Sequence, residues 1–173
     1  MINLKLSKRL AAIASYIEKG ASVADIGTDH GYLPVYLAKN GLASRIIASD
    51  KSEGSLNAAR RSASKHGVTD KITFIAAPGL TGISETEIDT VVIAGMGGET
   101  IIGILSEAPQ IKREGIRLIL QPQTKTYELS RWLTENGYEI KQANLIQERS
   151  KYYTVILAVY DSGIRDQGSV LVF

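Results

Sequence analysis

Two stretches near the C-terminal end of the chain, residues 139–147 and 152–160, both read as extended, with only a short polar turn between them. No helix fits into such a connection, so the two strands must run antiparallel. The chain before them follows a different rule. Apolar runs at 22–26, 45–49, 72–76, 89–94 and 117–120 alternate with helix-like segments at 32–39, 53–66, 99–107 and 126–135. An opening helix is expected over 6–17, where Leu6, Leu10, Ala11, Ile13, Ala14 and Ile17 fall at helical spacing before Gly20. Near-continuous apolar strands separated by helices describe a parallel sheet covered on both faces. The expected fold is therefore α/β: a doubly wound, mostly parallel, seven-stranded sheet with an antiparallel terminal hairpin.

A chain of 173 residues suits one compact domain. The expected division is a domain over 1–161 and a tail over 162–173 that ends on the apolar Val170-Leu171-Val172-Phe173. The absence of cysteine removes disulfides, thiolate metal sites and a cysteine nucleophile. With only His30 and His66, a three-histidine metal site cannot be built, and no metal is expected. The charged Lys5, Lys8 and Arg9 stand where a signal peptide would be apolar, and no window approaches 18 uninterrupted apolar residues. A soluble cytoplasmic protein without membrane contact is expected.

The chemistry concentrates at the ends of strands. Asp25-Ile26-Gly27-Thr28-Asp29-His30-Gly31-Tyr32 runs from the first strand through a turn into a helix. Gly27 permits a tight turn and close approach to a ligand, and Gly31 is expected to do the same at the helix start. Asp50 closes the next strand, roughly 20 residues on, where a carboxylate can accept hydrogen bonds from both hydroxyls of a ribose. A dinucleotide fingerprint wants glycine where Asp29 stands, because a pyrophosphate must lie against bare backbone. S-adenosylmethionine carries no phosphate, and Asp25 and Asp29 favour its ammonium and sulfonium charges. An acidic turn without a ligand is the bland alternative.

Two further segments end central strands, where ligands of such sheets bind. Ala94-Gly95-Met96-Gly97-Gly98 is expected to leave space for a cofactor tail and a flat substrate. In Leu120-Gln121-Pro122-Gln123, Pro122 fixes the chain leaving the sheet, and Gln121 and Gln123 are expected to meet a base edge. The Asn/Asp-Pro-Pro-aromatic motif of enzymes that methylate exocyclic amines is missing. Covalent C5-pyrimidine chemistry is excluded by the lack of cysteine.

Together these segments resemble the bacterial tRNA adenine-N1 methyltransferases that modify adenine 22, which are Rossmann-like class I enzymes. The resemblance rests on Asp25-Ile26-Gly27-Thr28-Asp29-His30-Gly31-Tyr32-Leu33-Pro34, on Ala94-Gly95-Met96-Gly97-Gly98 and on Leu118-Ile119-Leu120-Gln121-Pro122, with Leu6-Ser7-Lys8-Arg9-Leu10 similar to the family's first helix. It implies S-adenosylmethionine as cofactor, held by Asp25, Gly27, Thr28, Gly31, Asp50, Lys51, Pro78, Gly79, Ala94, Gly95 and Met96. It implies tRNA as partner, met by Lys8, Arg9, His30, Tyr32, Gly97, Gln121 and Pro122. There are two departures. The family's Gly-Asp-Gly-Leu turn after the third strand reads Ala77-Pro78-Gly79-Leu80, so the contact to the adenine amine must come from the backbone or elsewhere. Family members also continue into a helical C-terminal domain, and residues 162–173 look like its entrance.

Adenine N1 has a lone pair and needs no prior deprotonation, but attack leaves a cationic base that a carboxylate can stabilise. Asp29 is expected in that catalytic role; binding the cofactor ammonium or capping the helix are its alternatives. The first 20 residues hold Lys5, Lys8, Arg9 and Lys19 against the single acid Glu18, a larger excess than the +2 of the whole chain. The first helix is thus expected to flank the RNA path, with Tyr32 available to stack on an exposed base. The alternatives are a methyltransferase for a small molecule or protein and a cofactor-binding module without catalysis.

Overall fold

A computed structural model describes residues 4–163. The expectations for the tail fall mostly beyond them. Seven strands form one sheet: β1 (Ala21–Ile26), β2 (Ala43–Asp50), β3 (Thr73–Ala76), β4 (Thr90–Met96), β5 (Arg117–Pro122), β6 (Tyr138–Glu148) and β7 (Lys151–Tyr160). Five α-helices accompany them: α1 (Lys8–Ser15), α2 (Tyr32–Asn40), α3 (Glu53–Lys65), α4 (Gly98–Ser106) and α5 (Thr126–Glu135). The strand order is β3-β2-β1-β4-β5-β7-β6. All pairings among β1 to β5 are parallel, while β7 is antiparallel to both β5 and β6. The terminal hairpin closes at Glu148↔Lys151 through Arg149, which sits at φ 55.

Successive side chains of a strand point to opposite faces, and each face here has its own apolar layer. Val91, Ile93, Leu118 and Leu120 pack with Ile101 and Leu105 of α4 and Leu129 and Leu133 of α5. Val92 and Ile119 face the other way, with Ile13 of α1 and Val35 and Leu37 of α2. This double coverage explains why the central strands read as unbroken apolar runs.

The first helix is shorter than its periodicity predicts. It starts at Lys8 because the Ser7 hydroxyl accepts the Leu10 N–H at 3.2 Å, an N-cap that satisfies a free donor of the first turn. The link from β3 to β4 also departs from strict strand–helix alternation. No helix forms there, and Leu80, Ile83 and Ile88 anchor an irregular segment in the core instead.

Sheet order places the functional crevice. β1 has β2 on one side and β4 on the other, so the connections leave in opposite directions and a gap opens beyond their carboxyl ends. Gly27 follows β1, Asp50 ends β2 and Gly95 lies at the end of β4.

Two glycines serve this framework rather than a ligand. A Cβ on Gly31 would stand 2.8 Å from the Ala59 Cβ, so this glycine lets the start of α2 approach α3. A Cβ on Gly98 would stand 2.4 Å from the Lys125 carbonyl oxygen, and its N–H donates to the Thr124 carbonyl at 2.8 Å. The obstacle is backbone, which a rotamer change cannot relieve. Gly98→Ala is expected to cost roughly 1–3 kcal/mol of stability, read as a lower midpoint in denaturant with an unchanged slope.

Candidate active site

The crevice at the carboxyl ends of β1, β2 and β4 is a cleft of about 700 Å³. Its floor is the β1–α2 turn. Gly27 adopts φ 73 and is held to β2 by its N–H, which donates to the Ser49 carbonyl at 2.8 Å. A Cβ there would meet the Met96 methyl at 2.1 Å, so any side chain at 27 would project into the cleft. Asp29 adopts φ 50, a left-handed conformation that costs a non-glycine residue free energy and concentrates at functional sites.

Three aspartates line this cleft in three environments. Asp25 is buried, and the Thr28 hydroxyl donates to its Oδ2 at 2.8 Å. Burial pushes its pKa up to about 6; the Thr28 hydrogen bond opposes the rise, nearby Asp50 adds to it and Arg9 opposes it. Asp50 is fixed by two backbone donors, the Ser52 N–H on Oδ1 at 2.9 Å and the Asp29 N–H on Oδ2 at 3.3 Å. Asp29 itself is exposed at the mouth, with Oδ2 3.7 Å from His30 Nε2. It does not cap α2, whose N-cap is Gly31 without a side-chain bond; this removes one of the alternatives for Asp29.

The cleft gathers most of the expected cofactor residues: Asp25, Gly27, Thr28, Asp50, Lys51, Pro78, Gly79, Ala94, Gly95 and Met96. Gly31 is the exception, since it faces Ala59. Of the expected substrate residues, Arg9, His30 and Tyr32 line the cleft, and the His30 and Tyr32 rings stack with centroids 5.4 Å apart.

The remaining expected substrate residues lie elsewhere. Gln121 is fully buried and cannot meet a base edge. Its Oε1 accepts from Arg9 Nη1 at 2.8 Å and from the Gly95 N–H at 3.2 Å, and its Nε2 donates to the Pro122 carbonyl at 2.7 Å. Gln121 thus holds Arg9 at the cleft, and Gln123 is the glutamine that lines it. Pro122 is buried beside Gln121. Gly97 abuts the Thr124 hydroxyl oxygen, 3.2 Å from the position of a Cβ, so it accommodates packing rather than a substrate. Lys8 is exposed, and its backbone N–H donates to Glu148 at 2.8 Å, toward the terminal hairpin.

The profile of a family described as a methyltransferase domain matches residues 6–156. The tRNA (adenine(22)-N(1))-methyltransferase of Bacillus subtilis is 41% identical over 167 residues, 96% of this chain and 69% of that protein. The chain belongs to the tRNA (adenine(22)-N(1))-methyltransferase family. The crystal structure of the B. subtilis m1A22 tRNA methyltransferase TrmK superposes with a TM-score of 0.87 at 38% identity, covering 92% of this chain and 68% of that one. The Streptococcus pneumoniae Sp1610 structure in complex with S-adenosyl-L-methionine gives 0.85 at 35% identity, covering 90% and 73%.

This member of the family has a cleft whose chemistry fits S-adenosylmethionine. Asp25 and Asp50 supply negative charge and hydroxyl acceptors, and over Gly27 it is the flexible Met96 side chain, not backbone, that a ligand would have to displace to approach the turn. Several lining residues escaped the sequence reading, among them Ser55, Thr100, Ile104 and Glu107. All four lie in α3, α4 or the residue after α4, outside any glycine motif. Among the described residues, no three of His, Cys, Asp and Glu cluster to hold a metal, and no helix is long and apolar enough to cross a membrane.

Proposed function

We propose that this protein transfers the methyl group of S-adenosylmethionine to N1 of adenine 22 in tRNA by direct displacement, in the cytoplasm where tRNA is modified. The observation that carries this reading is one crevice with two kinds of carboxylate. Asp25 and Asp50 are fixed by hydrogen bonds inside the cleft, and Asp29 stands exposed at its mouth beside a stacked aromatic pair.

The cofactor supplies an already activated methyl group. The chain's residues have to bind, orient and balance charge. Asp50, oriented by the Ser52 and Asp29 N–H groups, suits a ribose diol. Asp25 suits the ammonium, which would return it to its ionised form. Pro78, Gly79 and Ile104 line the cleft together, Gly79 packing closely on Ile104. This apolar stretch of wall suits a face of the cofactor's adenine ring. Tyr32 and His30 offer a stacking surface for an extruded base. Asp29 stands next to them, where its charge can offset the cation formed at the methylated base.

The decisive experiment incubates the full chain with S-adenosylmethionine and unmodified bacterial tRNA and then analyses the nucleosides. 1-Methyladenosine is expected from wild-type tRNA and none from tRNA carrying guanine at position 22. Methylation of another acceptor, or cofactor binding without transfer, overturns the proposal. Cofactor binding tests the altered turn. Pro78→Asp restores an acceptor for the adenine amine and is expected to tighten cofactor binding roughly 5–10-fold, the scale of one ordinary net hydrogen bond, measured by calorimetry.

A further inference from the structure

We infer that a second groove, between the N-terminal segment and α3, carries the phosphodiester backbone of the RNA strand leading to the target base. The inference rests on the tRNA reading above and adds a path to it. The groove holds about 730 Å³ and is continuous with the cleft, with which it shares Leu10, His30 and Tyr32.

Its walls carry one sign of charge. Lys5 stands on one side, and Arg61 and Lys65 stand on the other, with the imidazole of His66 beside them; no carboxylate lines the groove among the described residues. Arg61 and Lys65 are exposed. They occupy successive turns of α3, four residues apart, so both project toward the same groove. The pKa of His66 is lowered, first by desolvation and then by the cations Lys39 and Lys65. Leu4, Leu6 and Leu10 add an apolar wall.

A cationic track leading to an exposed aromatic is the arrangement that binds single-stranded nucleic acid: charges follow the backbone and rings receive bases. Here the track ends at Tyr32, 47% exposed and stacked on His30 at the cleft mouth. A strand in this groove therefore delivers its next base beside Asp29. The groove also revises the charge argument made from the sequence. Of the cations in the N-terminal segment it is Lys5, not Lys8, that faces this path, and the partners of Lys5 lie on α3, some 60 residues away in sequence.

The test compares Arg61→Ala/Lys65→Ala with a control of equal charge change, Arg113→Ala/Arg131→Ala. Arg131 lies on α5, and Arg113 follows Ile111; α5 and Ile111 pack on the opposite face of the sheet from α1 and α2. Affinity for unmodified tRNA is measured over a range of salt concentrations, together with cofactor affinity and 1-methyladenosine formation. The groove variant is expected to bind tRNA at least tenfold more weakly. Its plot of log K against log salt is expected to flatten by roughly 1.4–1.8, two phosphates' worth of released counterions, with cofactor affinity unchanged. KM for tRNA rises while kcat stays within a few-fold. If both variants keep the wild-type slope, or lose affinity equally, the groove is not the RNA path. If wild-type protein neither binds nor methylates tRNA, the functional reading fails, and the inference falls with it.

Discussion

Asp29→Ala is expected to lower the rate of methyl transfer roughly 10²–10⁴-fold, the usual scale for loss of one positioned charge or proton-transfer group, while cofactor affinity stays within a few-fold of wild type. The split follows from position. The Asp29 carboxylate points out of the cleft mouth, 70% exposed, whereas Asp25 and Asp50 are fixed inside. The Asp29 N–H, which helps orient Asp50, is retained in alanine. Single-turnover kinetics with saturating tRNA separate the outcomes. Unchanged turnover with cofactor binding intact removes Asp29 from catalysis. A large rise in the cofactor Kd instead assigns it to the cofactor. Alanine accepts φ 50 less readily than aspartate, so Asp29→Asn is the companion variant: it tolerates the conformation, lacks the charge and is expected to be almost as slow.

Asp25→Asn is expected to stabilise the protein without cofactor and to remove cofactor binding. Asp25 is buried, and its pKa is pushed up to about 6 from an ordinary value of about 3.9. The folded state therefore holds this proton more tightly than the unfolded chain. Stability from this group is fully present below about pH 4 and is lost as pH rises through about 6. Two pKa units correspond to about 3 kcal/mol, an upper figure for what the neutral amide recovers at pH 8. For a chain of this size that is roughly 5–10 °C in Tm. The Thr28 hydroxyl can still donate to the amide oxygen. The expected signature is a Tm difference that is large at pH 8 and vanishes near pH 4. Cofactor affinity of the wild type is expected to strengthen as pH rises through about 6, and that of Asp25→Asn to be at least 100-fold weaker and flat with pH. Equal Tm values for the two proteins at pH 8 would show that the buried carboxylate carries no such cost.

The sequence reading and the structure agree at the strand ends, where the physics is local. The acidic turn after β1 was legible because a strand, a glycine turn and a helix start within ten residues leave few conformations. Asp50 was legible because the next strand of a parallel sheet ends at the same edge. Glycines misled where their neighbour was distant. Nothing near Gly31 or Gly98 in the chain announces Ala59 or the 124–125 backbone, so packing glycines looked like ligand glycines. Gln121 misled similarly. A polar residue at a strand end reads as available to a ligand, but here the Arg9 guanidinium, 112 residues away, occupies its acceptor.

From the chain alone, the double coverage of the sheet, the antiparallel hairpin and the acidic character of the site were determined, because each follows from side-chain period, turn length and charge between near neighbours. One part of the hairpin was also present in the residues but not read from them. β7 is buried without interruption from Val155 to Ala158 and lies inside the sheet, while the mixed β6 takes the edge. Only the tertiary structure decided which cations face the cleft, which carboxylate loses water and which glycines face protein. Those outcomes depend on contacts between residues far apart in the chain, where burial rather than local propensity sets the energy.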